Sequence, residues 1–365
     1  VTLSVVMAVR NGEPHLSAAI ESVLAQSVTD FEFLIVDDAS SDRTAEMLSA
    51  FQRRDPRIVV LRNDQRLGPY PSVNRALRAA RGDVIARHDG DDISPPQRFA
   101  IQIDALQSAR DVALVTGAVD NFGEGADRRS TAISRPPAWQ PRLEWELLFS
   151  NAVGAGAHVM FPRTFRGVPI RFPERHPYAE DYGLWCTLSR IGAVVCPDAV
   201  VYRYRRHHQS ISVEHRAEQH ACVTAMRKQY RSLYLQSDPA EETMRELSRF
   251  WDEDGNRPLA TDARQLLTAL AALRIGFLAY VAQRYGPRDA AALAAELDGA
   301  TSSRVAYWLY RSMLFGEGTA CLRLASLAIE RRQSLSVTAD VAGRVADAAY
   351  RRWFRPERSN VPDRG

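Results

Sequence analysis

Three carboxylates fall within four residues at Asp89, Asp91 and Asp92, inside the run RHDGDD at 87–92. Held that close they repel one another unless a cation neutralises them, and hard divalent ions prefer such oxygen ligands. Mg²⁺ typically takes one or two protein carboxylates and completes its shell with substrate phosphates. The competing reading is an acidic loop in which Asp92 caps the helix that follows. A second acidic run, DDASSD at 37–42, offers Asp37 and Asp38. A carboxylate there can accept a hydrogen bond from a nucleobase N–H. The same run can also serve only as a cap, through Ser40 or Ser41, and by itself it divides evenly between the two. A third pair, Glu180 and Asp181, opens a predicted helix, where the helix dipole favours negative charge whether or not the site is catalytic. Trp185, one turn along, reads as core rather than as a platform for a sugar ring.

Alternating strands and helices must position these residues. Leu3–Val9 is a continuous apolar run, as expected of a strand buried on both faces. Further strands are predicted at 31–36, 58–61, 83–87 and 112–119. Helices are predicted at 13–26, 42–51, 73–80 and 95–108, the last opened by Pro95 and Pro96. Such alternation gives βαβ units and a mostly parallel sheet, which binds ligands at the carboxyl ends of its strands. The polar clusters sit at those ends: Arg10 and Asn11 after the first strand, Asp37 and Asp38 after the second, Asp89 to Asp92 after the fourth. Residues 123–141 read as a loop, 158–161 as an apolar run, 178–191 as a helix, and 193–196 and 200–204 as short strands. Beyond residue 212 strand signals nearly vanish. The expected division is therefore 1–212 for the α/β domain and 213–365 for a helical region. Its most apolar stretch, 266–282, carries Arg274 near the middle and is shorter than the roughly 20 residues of a spanning helix. A packed core helix is favoured there over one lying on a membrane surface.

Composition narrows the classes. Among 365 residues, 47 basic side chains face 44 acidic ones, for a formal net charge of +3. Bulk charge gives no reason to expect a nucleic-acid partner. Hydrophobic residues at 45% and charged residues at 25% exclude a disordered or collagen-like chain. Every basic residue but Lys228 is arginine. Cys186, Cys196, Cys222 and Cys321 form no C-x-x-C pair and no metal-like spacing, so they read as thiols in a reducing compartment. No signal peptide is visible, and a cytoplasmic location is expected, with peripheral contact at the inner face of the membrane left open.

Taken together, VVMAVRNGEPHLSAAIESVLAQS, FEFLIVDDASSD and ARGDVIARHDGDDISPPQRF resemble the N-terminal half of family 2 glycosyltransferases. PYAEDYGLWCTLSRIG at 177–192 is similar to the acidic helix of that family, and YRRHHQSIS at 204–212 to its Y-R-x-H-x-x-S-x-S segment. These motifs occur in the family's order over residues 1–212. The resemblance implies a GT-A fold, Rossmann-like with a mostly parallel sheet and here a C-terminal α-helical region. It implies a nucleotide-sugar donor, with UDP-sugars favoured, Mg²⁺ or Mn²⁺, and a glycan or lipid-linked acceptor. Asp38 would contact the base and Asp89 and Asp91 would hold the metal. His207 would lie near the metal or the diphosphate, and Asp181 would be the general base. Val9, Asn11 and Glu13 would line the nucleotide. Arg10 stands where the family usually places an aromatic ring, and a guanidinium also stacks on a π-face. The phosphate-reaching arginine of the family is not identifiable; Arg66 and Arg75 are the candidates. Rival readings are a nucleotidyltransferase and a non-catalytic nucleotide-binding scaffold. A second copy of the chain is a further expected partner, with oligomeric state open.

Overall fold

The computed structural model describes residues 2–123, 130–154, 156–174, 177–206, 216–236, 239–252 and 263–314. The chain divides into two compact units, Val1–Tyr230 and Arg231–Gly365.

The first unit begins with strand β1 (Leu3–Val9), helix α1 (Leu16–Leu24), β2 (Phe31–Asp37), α2 (Thr44–Arg54), β3 (Ile58–Arg62), α3 (Pro69–Ala79), β4 (Val84–Asp89) and α4 (Arg98–Gln107). It continues through β5 (Val112–Val115), β6 (Ala118–Gly123), β7 (Ser130–Ser134), α5 (Gln140–Glu146), β8 (Met160–Pro162), β9 (Thr164–Phe165) and β10 (Val168–Pro169). α6 (Glu180–Ile191), β11 (Ala193–Val195), β12 (Val200–Arg206) and α7 (Arg216–Ser232) as far as Tyr230 complete it. Seven strands form one sheet in the order β11-β5-β8-β4-β1-β2-β3, parallel except for β8, which runs antiparallel between β4 and β5. β1 lies inside the sheet between β4 and β2, which leaves Val5, Val6 and Met7 of its apolar run wholly covered. Its core joins Ile20 and Val23 of α1 to Phe33 and Ile35 of β2 and Phe99 of α4.

Two sequence expectations are corrected. The run 112–119 is two strands: β5 joins the large sheet, whereas β6 pairs with β12 and β7 in a separate three-stranded sheet. Apolar letters continue across Thr116 and Gly117, so hydrophobicity does not mark the break. The stretch 123–141 is not all loop. Ser130–Ser134 is an edge strand with all five side chains exposed, and a strand without a buried face leaves no period-2 signal.

The second unit contains α8 (Glu241–Asp252), α9 (Ala263–Arg284) and α10 (Pro287–Leu314). Leu247, Phe250 and Trp251 are buried with Leu273, Phe277, Val281, Leu297 and Trp308. α9 alone among the described helices is long and apolar enough to cross a membrane. Its Leu266, Leu270, Leu273, Phe277 and Val281 are buried at helical spacing, and it packs against α8 and α10. Gly276 lets α9 approach the backbone at Tyr234 closely, because a Cβ there would stand 1.8 Å from the Tyr234 carbonyl oxygen.

Candidate active site

Register brings the acidic runs together. Val9 of β1 lies opposite Asp37 of β2, and Ala8 lies opposite Asp89 of β4, so the three strands end level. Their ends open into one cavity of about 810 Å³. Val9, Arg10, Asn11, Asp38, Asp89, Asp91 and Asp181 all line it.

The turn after β1 is tied to the loop after β2. Asn11 holds the left-handed conformation (φ 51°), which asparagine tolerates better than most residues. Its backbone N–H donates to Ser40 Oγ (3.0 Å), and its Oδ1 accepts from the Ser41 N–H (2.9 Å). Gly12 N–H donates to Thr44 Oγ1 (2.9 Å). Ser40 and Ser41 therefore brace the first turn rather than cap α2; it is Asp42 Oδ1 that accepts from the Thr44 N–H (3.0 Å). Glu13 is also displaced from its expected place. It does not line the cavity, because its carboxylate faces Arg43, 3.6 Å from the guanidinium.

Asp38 is buried on the rim with both oxygens engaged. It accepts from Asn63 Nδ2 (2.7 Å), Leu67 N–H (2.8 Å) and Gly68 N–H (2.9 Å), which folds the loop before α3 against the cavity. That loop brings Arg66 to the cavity wall. Arg75 points elsewhere, donating to Arg62 O and Asn63 Oδ1.

At the end of β4, Asp89 is gripped by Arg87, Nη2 to Oδ1 at 2.9 Å and Nη1 to Oδ2 at 3.2 Å. Arg87 is buried and lies 5.2 Å from the centre of the Tyr70 ring, a cation–π contact. Burial raises the Asp89 carboxyl above its ordinary range; Arg87 opposes the rise and Asp91 adds to it. Asp91 is half-buried on the wall. Asp92 turns inward instead, and its Oδ1 accepts from the Arg205 N–H (2.7 Å), so it ties β12 to this loop rather than capping α4. His88 also points inward. Its Nδ1 meets the Asp89 carbonyl at 2.6 Å, and burial holds the ring neutral by lowering its pKa well below the usual value. A carbonyl only accepts, so Nδ1 carries the hydrogen.

Among the described residues no group of three His, Cys, Asp or Glu side chains is placed to hold a metal ion. At the end of β4 two carboxylates, Asp89 and Asp91, line the wall. That donor set fits a hard divalent cation whose other ligands are phosphate and water oxygens. His207 lies outside the described residues, as do His176, His208 and Cys321.

Asp181 reaches the cavity from the first turn of α6. Its Oδ1 accepts from the Tyr182 N–H (2.7 Å) and its Oδ2 from Asn151 Nδ2 (3.2 Å). Burial raises its pKa; the Tyr182 N–H, Arg87 and Asn151 pull the other way. Trp185 is fully buried, edge-on to Phe172, with its Nε1 donating to Gly154 O, and so belongs to the core. Arg87, Tyr70, Asn151 and Tyr204 line the cavity as well, with no role legible for them in the sequence. So do Gln219, Val223 and Arg227 of α7, at i, i+4 and i+8. That helical stripe was the one signal available for them.

Residues 4–165 match the family model described as Glycosyl transferase family 2. An Escherichia coli relative, UDP-Glc:alpha-D-GlcNAc-diphosphoundecaprenol beta-1,3-glucosyltransferase WfgD, is 30% identical over 213 residues, 58% of this chain and 79% of that protein. The chain belongs to glycosyltransferase family 2. An uncharacterized glycosyltransferase of Haemophilus influenzae is 26% identical over 240 residues, 64% of this chain and 74% of that one. The fold is shared with S. aureus TarS in its complex with UDP-GlcNAc: TM-score 0.52, 14% identity, 92% of this chain and 93% of that one. The GT-A-like architecture expected for a family 2 glycosyltransferase is thus present, with its large, mostly parallel sheet and C-terminal helices.

Proposed function

We propose that this family 2 glycosyltransferase moves a sugar from a UDP-sugar to an acceptor hydroxyl, with metal assistance and inversion at the anomeric carbon. The observation that carries this reading is the opening of Asp89, Asp91 and Asp181 onto a single cavity, although they come from the end of β4, the loop after it and α6. Asp91, with Asp89, would hold Mg²⁺ or Mn²⁺, which when bound neutralises charge on the departing diphosphate. Arg10 and Asn11 would line the base, and Arg66 would face the phosphates. The Arg87 grip keeps the Asp89 carboxylate at the end of β4.

In transfer, the acceptor oxygen forms a bond to the anomeric carbon as the bond from that carbon to the diphosphate oxygen breaks. The electron pair leaves with the nucleoside diphosphate, and the hydroxyl proton passes to the Asp181 carboxylate. Burial raises the proton affinity of that carboxylate, which suits a general base. Attack from the face opposite the leaving group inverts the centre.

The E. coli relative is named for a UDP-Glc donor and a diphosphoundecaprenol-linked acceptor. By that analogy we assign this chain a role in polysaccharide or glycoconjugate assembly, acting from the cytoplasm on a glycan or lipid-linked acceptor at the inner face of the membrane. The helical region after residue 212 would serve the acceptor side or contact a second copy. The test is transfer measured as UDP release. Asp91→Ala and Asp181→Asn, folded by circular dichroism, are each expected to lose about 10²-fold or more. Wild-type rates in either would remove the assigned role, and pyrophosphate release from a nucleoside triphosphate would make the protein a nucleotidyltransferase.

A further inference from the structure

Asn151 lies in the segment between α5 and β8, well apart in sequence from the helix that carries Asp181. Its side chain makes two contacts. Its Oδ1 accepts from the Gly154 N–H and its Nδ2 donates to Asp181 Oδ2, both at 3.2 Å. The orientation of the amide is fixed by chemistry. A backbone N–H can only donate, so the oxygen must face Gly154, which leaves the NH₂ group on the carboxylate.

The segment is itself anchored to α6. Trp185 Nε1 donates to Gly154 O (3.3 Å), and Gly154 holds a left-handed backbone (φ 95°) that suits glycine. The Asp181 carboxylate is therefore held at both oxygens: Oδ1 by the N–H of Tyr182 in its own helix, and Oδ2 by a side chain from a separate, braced segment. Asn151, Gly154 and Tyr204 also line a second cavity of about 310 Å³, so Asn151 is on the wall of both cavities.

We propose that Asn151 is the positioning residue of Asp181, its amide setting the orientation of the base carboxylate on the cavity wall. The proposal rests on the reading of Asp181 as the general base. A hydrogen bond donated to the carboxylate also favours its charged form. The other groups acting on Asp181 are Arg87 and Asp89 of β4, Tyr70 of α3, and Glu180 and Cys186 of its own helix. Tyr178 and Arg227 share its cavity wall. Of the groups that favour the charge, Arg87 is paired with Asp89, and Asn151 is the side chain hydrogen-bonded to Asp181 itself.

Three variants separate orientation of the base from support of the loop. Asn151→Asp keeps an oxygen for the Gly154 N–H but replaces the donor with a second carboxylate. Asn151→Ser keeps a shorter acceptor, and Asn151→Ala removes both contacts. The readout is kcat and donor KM against pH, as UDP release from whichever of UDP-Glc and UDP-GlcNAc the wild-type protein turns over. The acid limb of kcat should move up by about one pH unit in Asn151→Ala and Asn151→Ser. It should move further in Asn151→Asp, where two adjacent carboxylates cannot both ionise readily. Donor KM should stay within about twofold, since uniform binding is untouched. A wild-type pH profile in Asn151→Asp, or a loss confined to donor KM, overturns the proposal and leaves the base reading standing. Wild-type turnover by Asp181→Asn would instead overturn the base reading and the proposal with it.

Discussion

Glu180 and Asp181 are consecutive acids at the start of α6, yet only Asp181 lines the cavity. Glu180 is buried, and its carboxyl is pushed up to about 7, chiefly by burial and further by Asp181, against the pull of nearby backbone N–H groups. A folded-state pKa raised from 4.5 gives a stability contribution that is complete below about pH 4.5 and is lost as pH rises toward about 7. Gln does not ionise, so Glu180→Gln should gain Tm relative to the wild-type protein on going from pH 5 to pH 8. Thermal melts at the two pH values check this, and an unchanged difference would contradict it. Sequence letters distinguished these residues only in part. Asp38, Asp89, Asp91 and Asp181 were visible as acids at element ends. Arg87 and Asn151 were not, because their meaning lies in contacts with residues 2 and 30 positions away, along a strand direction and across a loop. Glu13 misled for the same reason: its partner, Arg43, comes from another turn.

Elements were most legible where burial gives a period. β1 and β2 read as apolar runs because both of their faces are covered, and α9 shows its buried residues at helical spacing. They were least legible where burial changes partner without changing composition. β5 and β6 are nearly continuous in sequence but sit in different sheets, and the exposed β7 has no apolar face to announce it. Gly276 shows how tightly one element can depend on one residue. A methyl group there would meet the backbone of Tyr234, which cannot rotate away as a flexible side chain can. Gly276→Ala should therefore destabilise the second unit by about 1–3 kcal/mol despite the better helix propensity of alanine. Denaturant unfolding followed by the fluorescence of Trp251 and Trp308 measures this, and a stabilised variant would refute the close approach.

At the scale of the whole molecule, the family model ends at residue 165, before Asp181, while the cavity continues through α6 to Arg227 of α7. The part of the cavity at the ends of β1, β2 and β4 comes from the matched region. The wall beside Asp181 comes from later residues, whose letters carry less of the family pattern. In the proposed reading the metal and diphosphate lie against Asp89 and Asp91, and the proton passes to Asp181. The most direct measurement is the thermal stability of the wild-type, Asp91→Ala and Asp181→Asn proteins with UDP, in Mn²⁺ and in EDTA. A ligand bound only by the folded state stabilises it by about 2.7 kcal/mol at a hundredfold excess over Kd. The expected result is a rise in Tm with UDP and Mn²⁺ that EDTA abolishes, that Asp91→Ala lacks and that Asp181→Asn keeps. An equal rise in Asp91→Ala, or no rise in the wild-type protein, would contradict it.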